Sequence, residues 1–218
     1  MDLMQAMELR HSVRTFTDKP IEADVINALK EEIALCNEEG GLHIQLVQDE
    51  PKAFDSFMAH YGKFSGVKNY IALVGKKDAQ LDEKCGYYGE RIALKAQSLG
   101  LNLCWVALTY KKIPGAFAIN SGEKLTVVIA IGYGDTQGVE HKSKSPYDVS
   151  NISDATPDWF AAGVQAALLA PTAMNQQKFY FEYKDDKVTA KPGSGFYTKV
   201  DLGIVKYHFE LGAGKKLF

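Results

Sequence analysis

The chain has 218 residues, 46% hydrophobic and 24% charged, with a formal net charge of −2, which supplies a sizeable core but no electrostatic basis for nucleic-acid binding. Three cysteines (Cys36, Cys85, Cys104) lack C-x-x-C spacing and the five histidines show no ligand spacing, so no disulfide framework and no metal site is expected. The longest apolar runs, Leu101–Leu108 and Leu125–Ile131, fall far short of the ~20 residues of a membrane span. The opening MDLMQAMELRHS is too acidic for a signal peptide, so a cytoplasmic protein is expected, with no membrane and no nucleic-acid partner.

Residues 2–10 pattern as a short helix that delivers Arg10. Next comes Arg10-His11-Ser12-Val13-Arg14, followed by Phe16, Asp18 and Pro20. Two planar forks of N–H donors bracket a hydroxyl there, a set suited to phosphate or to an electron-rich carbonyl. The same five residues also suit a solvated arm. From Glu22 to Leu35 the spacing predicts a helix with Val25, Ile26, Leu29 and Ile33 on one face, broken at Gly40-Gly41. His43–Val47 alternates as a strand does, Ala53–Tyr61 reads as a helix ending at Gly62, and Tyr70–Val74 suits a central strand.

A long helix is predicted from Leu81 to Gly100, with Ile92, Ala93, Ala96 and Leu99 inward and Gly100 as its C-terminal cap. It runs directly into Leu101–Val106, where Cys104 and Trp105 read equally well as core. Leu125–Ile131 is rich in strand formers; it leads to Gly132-Tyr133-Gly134-Asp135 and the basic segment His141-Lys142-Ser143-Lys144-Ser145, a solvated loop or an anion contact. Near the C-terminal end, Leu168 to Phe179 reads as an apolar helix stopped by Pro171, a loop of small polar residues, then a strand.

Taken together, RHSVRTFTDKPI and APTAMNQQ resemble the FMN-dependent nitroreductase family, whose pattern is Arg-x-Ser-x-Arg/Lys-x-Phe followed by Ala-Pro-Ser-x-x-Asn-x-Gln. The helix running into Gly100-Leu101-Asn102-Leu103-Cys104-Trp105 resembles the family's Gly-Leu-Gly-x-Cys-Trp strand, with Asn102 in place of the second glycine. Lys142-Ser143-Lys144 is similar to its Lys-x-Arg. The order departs from the family, because the Pro-Ser-x-x-Asn motif ordinarily follows the arginine motif by some twenty-odd residues and here begins at Pro171. At the expected place the chain has Cys36-Asn37-Glu38-Glu39-Gly40-Gly41.

An internal repeat accounts for the displacement. Shifting the chain by 135 residues lays Val25, Leu29 and Ile33 over Phe160, Val164 and Leu168, and Ile44-Gln45-Leu46 over Phe179-Tyr180-Phe181. With a different gap, Val200–Leu211 resembles Lys84–Leu94, since Gly203 and Gly86 each precede a leucine by eight. The first half keeps the arginine motif and lacks the loop motif; the second half has the reverse. Ordinary members of the family are homodimers whose FMN lies between subunits. The expectation is therefore an α+β, nitroreductase-like fold, with antiparallel or mixed central sheets flanked by helices. It would be a single domain of two pseudo-repeats, about 1–150 and 151–218, forming a pseudo-dimer within one chain, able to build the site as a monomer and free to dimerise through other surfaces.

The resemblance implies an FMN-dependent NAD(P)H oxidoreductase, transferring hydride by a ping-pong cycle to a small-molecule acceptor such as a nitroaromatic, a quinone or a flavin. Arg10 and Lys144, with Lys142 and Ser12, would neutralise the cofactor phosphate, and His11 would contact phosphate or ribityl. Pro171, Thr172, Ala173 and Asn175 would lie along the flavin, beside Trp105, Val106 and Ala107. Arg14 would place its charge near N1 and O2 of the ring. No protein nucleophile and no metal is called for, and the chain lacks G-x-G-x-x-G. Tyr87, Tyr88, Tyr110, Phe117, Phe196 and Tyr197 are each pocket or core candidates. A flavin-binding store, sensor or flavin-modifying relative without nicotinamide turnover is the alternative.

Overall fold

The computed structural model describes all residues, 1–218. Helix α1 (Leu3–Leu9) opens on a capping box in which the Asp2 carboxylate accepts the Gln5 N–H and the Gln5 side chain accepts the Asp2 N–H. Helix α2 (Ala23–Gly40) runs five residues beyond its predicted end, since Gly40 stays helical and Gly41, at φ 62°, makes the left-handed stop. Strand β1 (Gln45–Val47) follows. The helix expected over 53–61 is instead a 3₁₀ turn (Pro51–Ala53) and a short α3 (Phe57–Tyr61), because Ser56 starts a new helix by accepting the Ala59 N–H at 3.3 Å.

Strand β2 (Asn69–Lys76), helix α4 (Leu81–Ser98), strand β3 (Asn102–Val106) and strand β4 (Glu123–Gly132) complete the main sheet, ordered β1-β2-β4-β3 and antiparallel throughout. Both faces of this sheet are covered, so its central strands read as unbroken apolar runs. Ile71, Leu73, Val127, Ile129 and Ile131 point to the larger core, shared with α4 and the C-terminal helices. Their neighbours Tyr70, Val128 and Ala130 point to a smaller core with Val13, Phe16, Phe54 and Phe64. Gly100, at φ 88°, ends α4 as its position predicts.

Beyond a one-turn α5 (Pro146–Val149) the chain forms α6 (Asp158–Leu168), the hairpin of β5 (Phe179–Lys184) with β6 (Lys187–Pro192), and α7 (Thr198–Ala213). Strand β6, Lys-Val-Thr-Ala-Lys-Pro, buries none of its residues, so no apolar pattern announced it. No helix is long and apolar enough to cross a membrane.

Apart from the 3₁₀ turn and α3 inserted between β1 and β2, the series α2-β1-β2-α4 and α6-β5-β6-α7 share an order of helix, two antiparallel strands and helix; α2 packs on α4 and α6 on α7. Helices α4 and α7 cross at Gly86 and Gly203. A Cβ on Gly86 would lie 2.0 Å from the Val200 carbonyl oxygen, and one on Gly203 would lie 1.9 Å from that of Glu83. Each glycine meets the carbonyl three residues before the other. This reciprocal contact is the form a two-fold axis imposes.

Candidate functional site

A cavity of about 580 Å³, within the range of cofactor sites, opens between the N-terminal strap that follows α1, the end of β3, the 139–141 segment, the loop after α6 and the start of α7. The strap is pinned by main-chain hydrogen bonds on both sides. Val13 N–H donates to Leu103 O (3.0 Å), Phe16 N–H to Ser65 O (3.0 Å), Thr17 N–H to Tyr133 O (2.8 Å), and the Arg14 and Thr15 carbonyls accept from Ser65 and Asp135. Val13 and Phe16 are thereby buried, while Ser12 and Arg14 stay exposed along the cavity, the Arg14 guanidinium 6.0 Å from the Phe64 ring centre.

Arg10 also lines the cavity, yet it is only 2% exposed. Its Nε lies 3.8 Å from Glu90 Oε1, beyond hydrogen-bonding distance, and Nε and Nη1 have no hydrogen-bond partner. Burial holds its pKa below the ordinary arginine value, opposed by the charge of Glu90. Burial, and then Arg10, likewise lower His11, which therefore offers the site a neutral imidazole rather than a second fixed cation.

Trp105 and Val106 come from β3 and Ala107 and Leu108 from the turn beyond it; the Trp105 indole donates to Glu90 Oε2 at 2.9 Å. Cys104 also lines the cavity as a thiol whose pKa burial raises. Pro171, Thr172, Ala173 and Asn175, also in the lining, belong to a tightly sewn loop. Thr172 Oγ1 accepts the Gln177 N–H (3.0 Å), and Asn175 Nδ2 and Gln177 Nε2 both donate to the Lys142 carbonyl (2.9 and 2.8 Å). Met174 (φ 52°), Asn175 (φ 52°) and Gln177 (φ 45°) are non-glycine residues in the left-handed region, a costly conformation that clusters at functional sites.

Eleven of the thirteen residues singled out from the sequence line this one cavity: Arg10, His11, Ser12, Arg14, Trp105, Val106, Ala107, Pro171, Thr172, Ala173 and Asn175. Lys142 and Lys144 are not among its lining. Lys142 supplies its carbonyl to the loop, and Lys144 Nζ donates to the Gln177 carbonyl at 2.9 Å. Of the six aromatic candidates, Phe196 and Tyr197 line the cavity. Tyr110 and Phe117 pack on the smaller core, and Tyr87 and Tyr88 pack on each other edge-to-face.

Asp201 was not singled out. It sits in the first turn of α7, among Val200, Leu202 and Ile204, and takes the Ala173 N–H on Oδ1 (2.9 Å) and Gln176 Nε2 on Oδ2 (2.8 Å). Burial pushes its carboxyl up to about 6, against the two hydrogen bonds. An acid on an otherwise apolar helix face was the available signal. The cavity lining also includes the exposed apolar side chains Leu108, Val139 and Met174, which were not singled out, beside the candidate Phe196.

Fold and cavity together define an α+β protein with an anion-receptive, partly apolar site shared by distant parts of the chain. A family model described as "Putative TM nitroreductase" matches residues 2–213, and the chain belongs to this nitroreductase family. Among solved structures, a "putative nitroreductase" from Thermotoga maritima is 23% identical, with TM-score 0.67, covering 97% of this chain and 83% of that one. A "putative nitroreductase in complex with FMN" from Desulfovibrio desulfuricans is 14% identical, with TM-score 0.53, over 72% of this chain and 99% of its own. A "Putative NADH dehydrogenase/NAD(P)H nitroreductase" from Parabacteroides distasonis is 19% identical, with TM-score 0.54, over 71% and 98%. These likenesses are of fold. No curated protein matches the chain.

Proposed function

We propose that the protein is an FMN-dependent NAD(P)H oxidoreductase of nitroreductase type. The observation that carries this reading is Arg10, a guanidinium buried at the cavity wall with two nitrogens unpartnered. Leaving buried N–H groups of a charged side chain without hydrogen bonds costs on the order of 1–3 kcal/mol or more, and a phosphate meeting the guanidinium from the cavity offsets part of that cost. Ser12 adds a hydroxyl donor and His11 a neutral imidazole beside it. Arg14, farther along the strap, is the cation available to the polar edge of a flavin ring.

The chemistry that bound FMN supplies is two-electron hydride transfer, from NAD(P)H to a nitroaromatic, quinone or flavin acceptor. The chain's part is to bind, orient and shield. The 106–108 segment and the 171–175 loop both supply cavity wall, and the exposed side chains Leu108, Val139, Met174 and Phe196 add apolar surface suited to a flat aromatic guest. No side chain is needed as a nucleophile.

The site also belongs to one chain in this reading. The strap and β3 come from the first half, and the 171–175 loop and α7 from the second. The reciprocal contact of Gly86 with Gly203 supports a pseudo-dimer of two related halves. Purified protein, reconstituted with FMN, should be yellow at one flavin per chain and should bleach anaerobically with NADH or NADPH. Failure to take up FMN sinks the reading. Bound FMN that neither nicotinamide reduces would instead favour a flavin-binding protein without turnover.

A further inference from the structure

Behind the cavity wall lies a buried group of polar side chains that the proposed chemistry does not use. Glu90, in the middle of α4, and His208, in α7, are both 0% exposed, and neither lines the cavity. His208 Nε2 is 2.8 Å from Glu90 Oε1, and His208 Nδ1 is 3.1 Å from the Ala166 carbonyl at the end of α6. Glu90 Oε2 takes the Trp105 indole N–H. Both carboxylate oxygens are therefore engaged, and Arg10, its Nε 3.8 Å from Oε1, makes no hydrogen bond to either.

The protons can be counted. A carbonyl only accepts, so His208 Nδ1 must carry a hydrogen. Nε2 faces a carboxyl oxygen, so a hydrogen must lie between these two atoms as well. It sits on the ring, giving imidazolium with carboxylate, or on Glu90, giving imidazole with carboxylic acid. In both cases the pair has no net charge.

We propose that Glu90 and His208 hold one proton between them and so leave the positive charge of Arg10 uncancelled and directed at the anionic end of the ligand. Glu90 is thus a positioning residue. It fixes Trp105 through one oxygen, fixes His208 through the other and withholds itself from Arg10. A Glu90 with no proton in the pair would be a bare carboxylate beside Arg10; it would neutralise the guanidinium and repel a phosphate. The other titratable neighbours do not alter the count. Cys104 on β3 and Tyr207 on α7 are both kept neutral by burial, and Arg91, Glu32 and Cys36 act electrostatically on Tyr207. His11, on the strap, faces Arg10.

The inference rests on the proposed flavin site, and the test separates the two. FMN, riboflavin and inorganic phosphate are titrated by calorimetry into the wild-type protein, Glu90→Gln, His208→Leu and the double variant. Glutamine keeps the shape of Glu90 and imitates the neutral pair, so Glu90→Gln should bind FMN as the wild type does. His208→Leu removes the proton's second host and frees a carboxylate to pair with Arg10. FMN affinity should then fall about tenfold or more, the scale of one charge-assisted hydrogen bond, with riboflavin unaffected and FMN binding recovered in the double variant.

A tenfold gain in FMN affinity for Glu90→Gln would overturn the proposal, because it would mean that an uncompensated carboxylate had been removed; this arm decides even if His208→Leu does not fold. Equal losses of FMN and riboflavin, or no recovery in the double variant, would overturn it too. A wild-type protein that takes phosphate but neither flavin refutes the flavin reading alone, and the variants are then judged with phosphate. Binding of neither flavin nor phosphate refutes both.

Discussion

The strap over 10–17 and the loop over 171–177 line one cavity but are held by opposite means. The strap is extended, is bonded through its main chain to three parts of the molecule and has no left-handed residue. The loop has three such non-glycine residues and is sewn by the side chains of Thr172, Asn175, Gln177 and Asp201. Main-chain pinning tolerates changes of side chain and leaves Arg10, Ser12 and Arg14 free for a ligand. Side-chain sewing ties the loop's shape to particular residues and, through Asp201, to pH.

The largest expected effect falls on the joint that brings strap and loop together. A Cβ on Gly203 would lie 1.9 Å from the Glu83 carbonyl oxygen and 2.5 Å from the Tyr87 nitrogen. Both are backbone atoms that cannot rotate away, so Gly203→Ala should cost about 3 kcal/mol or more, read as a lowered Tm. Gly86→Ala should cost a similar amount, its Cβ lying 2.0 Å from the Val200 oxygen. Tolerance of both would mean that the halves can slide without losing the cavity.

Arg10→Ala and Asn175→Ala test whether strap and loop serve one site. Loss of the buried guanidinium should weaken FMN by about 3 kcal/mol, roughly a hundredfold, and loss of the loop stitch by less. Mixing the two variants should restore nothing if each chain builds its own site. Recovery of tight binding at about a quarter of the chains would point to a site between chains, since a mixed symmetric dimer pools both defects in one site and leaves the other intact.

Asp201 should give the loop a pH dependence near 6. Its folded pKa lies above that of an unfolded aspartate, so between about pH 4 and 6 the folded state keeps a proton the unfolded state has lost. Stability therefore falls as pH rises through that window, by an amount on the order of 2–3 kcal/mol. Asp201→Asn should remove this leg, so the wild-type-minus-variant difference in denaturant stability should shift across pH 4–6.5 and level off above it. A flat difference would mean that Asp201 is ionised and unstrained throughout.

Arg14 carries a smaller effect because it is solvent-exposed. Arg14→Gln should lower the potential of bound FMN by about 1.5 kcal/mol, ~30 mV for a two-electron couple. An unchanged potential would take Arg14 away from the ring.

The strap was legible in the sequence because its chemistry sits in five consecutive residues, and the loop because Pro171, Asn175 and Gln177 form a compact motif. The long helices announced themselves by period and by glycine stops. What stayed hidden depends on contacts across the chain. Asp201 and Glu90 look like ordinary polar residues until α7 buries one beside the loop and the other behind Arg10. The reach of Lys144 could not be read either, since the Gln177 carbonyl that takes its Nζ lies 33 residues away.

The smallest effect sets loop and strap directly against each other through glycine substitution. Met174 is 83% exposed and sits at φ 52°, so its side chain contributes little burial while its backbone bears the left-handed penalty of an L-residue, ~1 kcal/mol or somewhat more. Met174→Gly removes that penalty and adds some unfolded-state entropy, leaving a net stabilisation of up to ~1 kcal/mol. Thr15 is also exposed, but it lies in the extended strap, where glycine brings only its entropic cost, so Thr15→Gly should destabilise by about 0.5–1 kcal/mol. Denaturant midpoints of the two variants should move in opposite directions from the wild type. A shift of the same sign and size in both would mean that the loop stores no strain, leaving its side-chain stitches as the sole difference between the two walls.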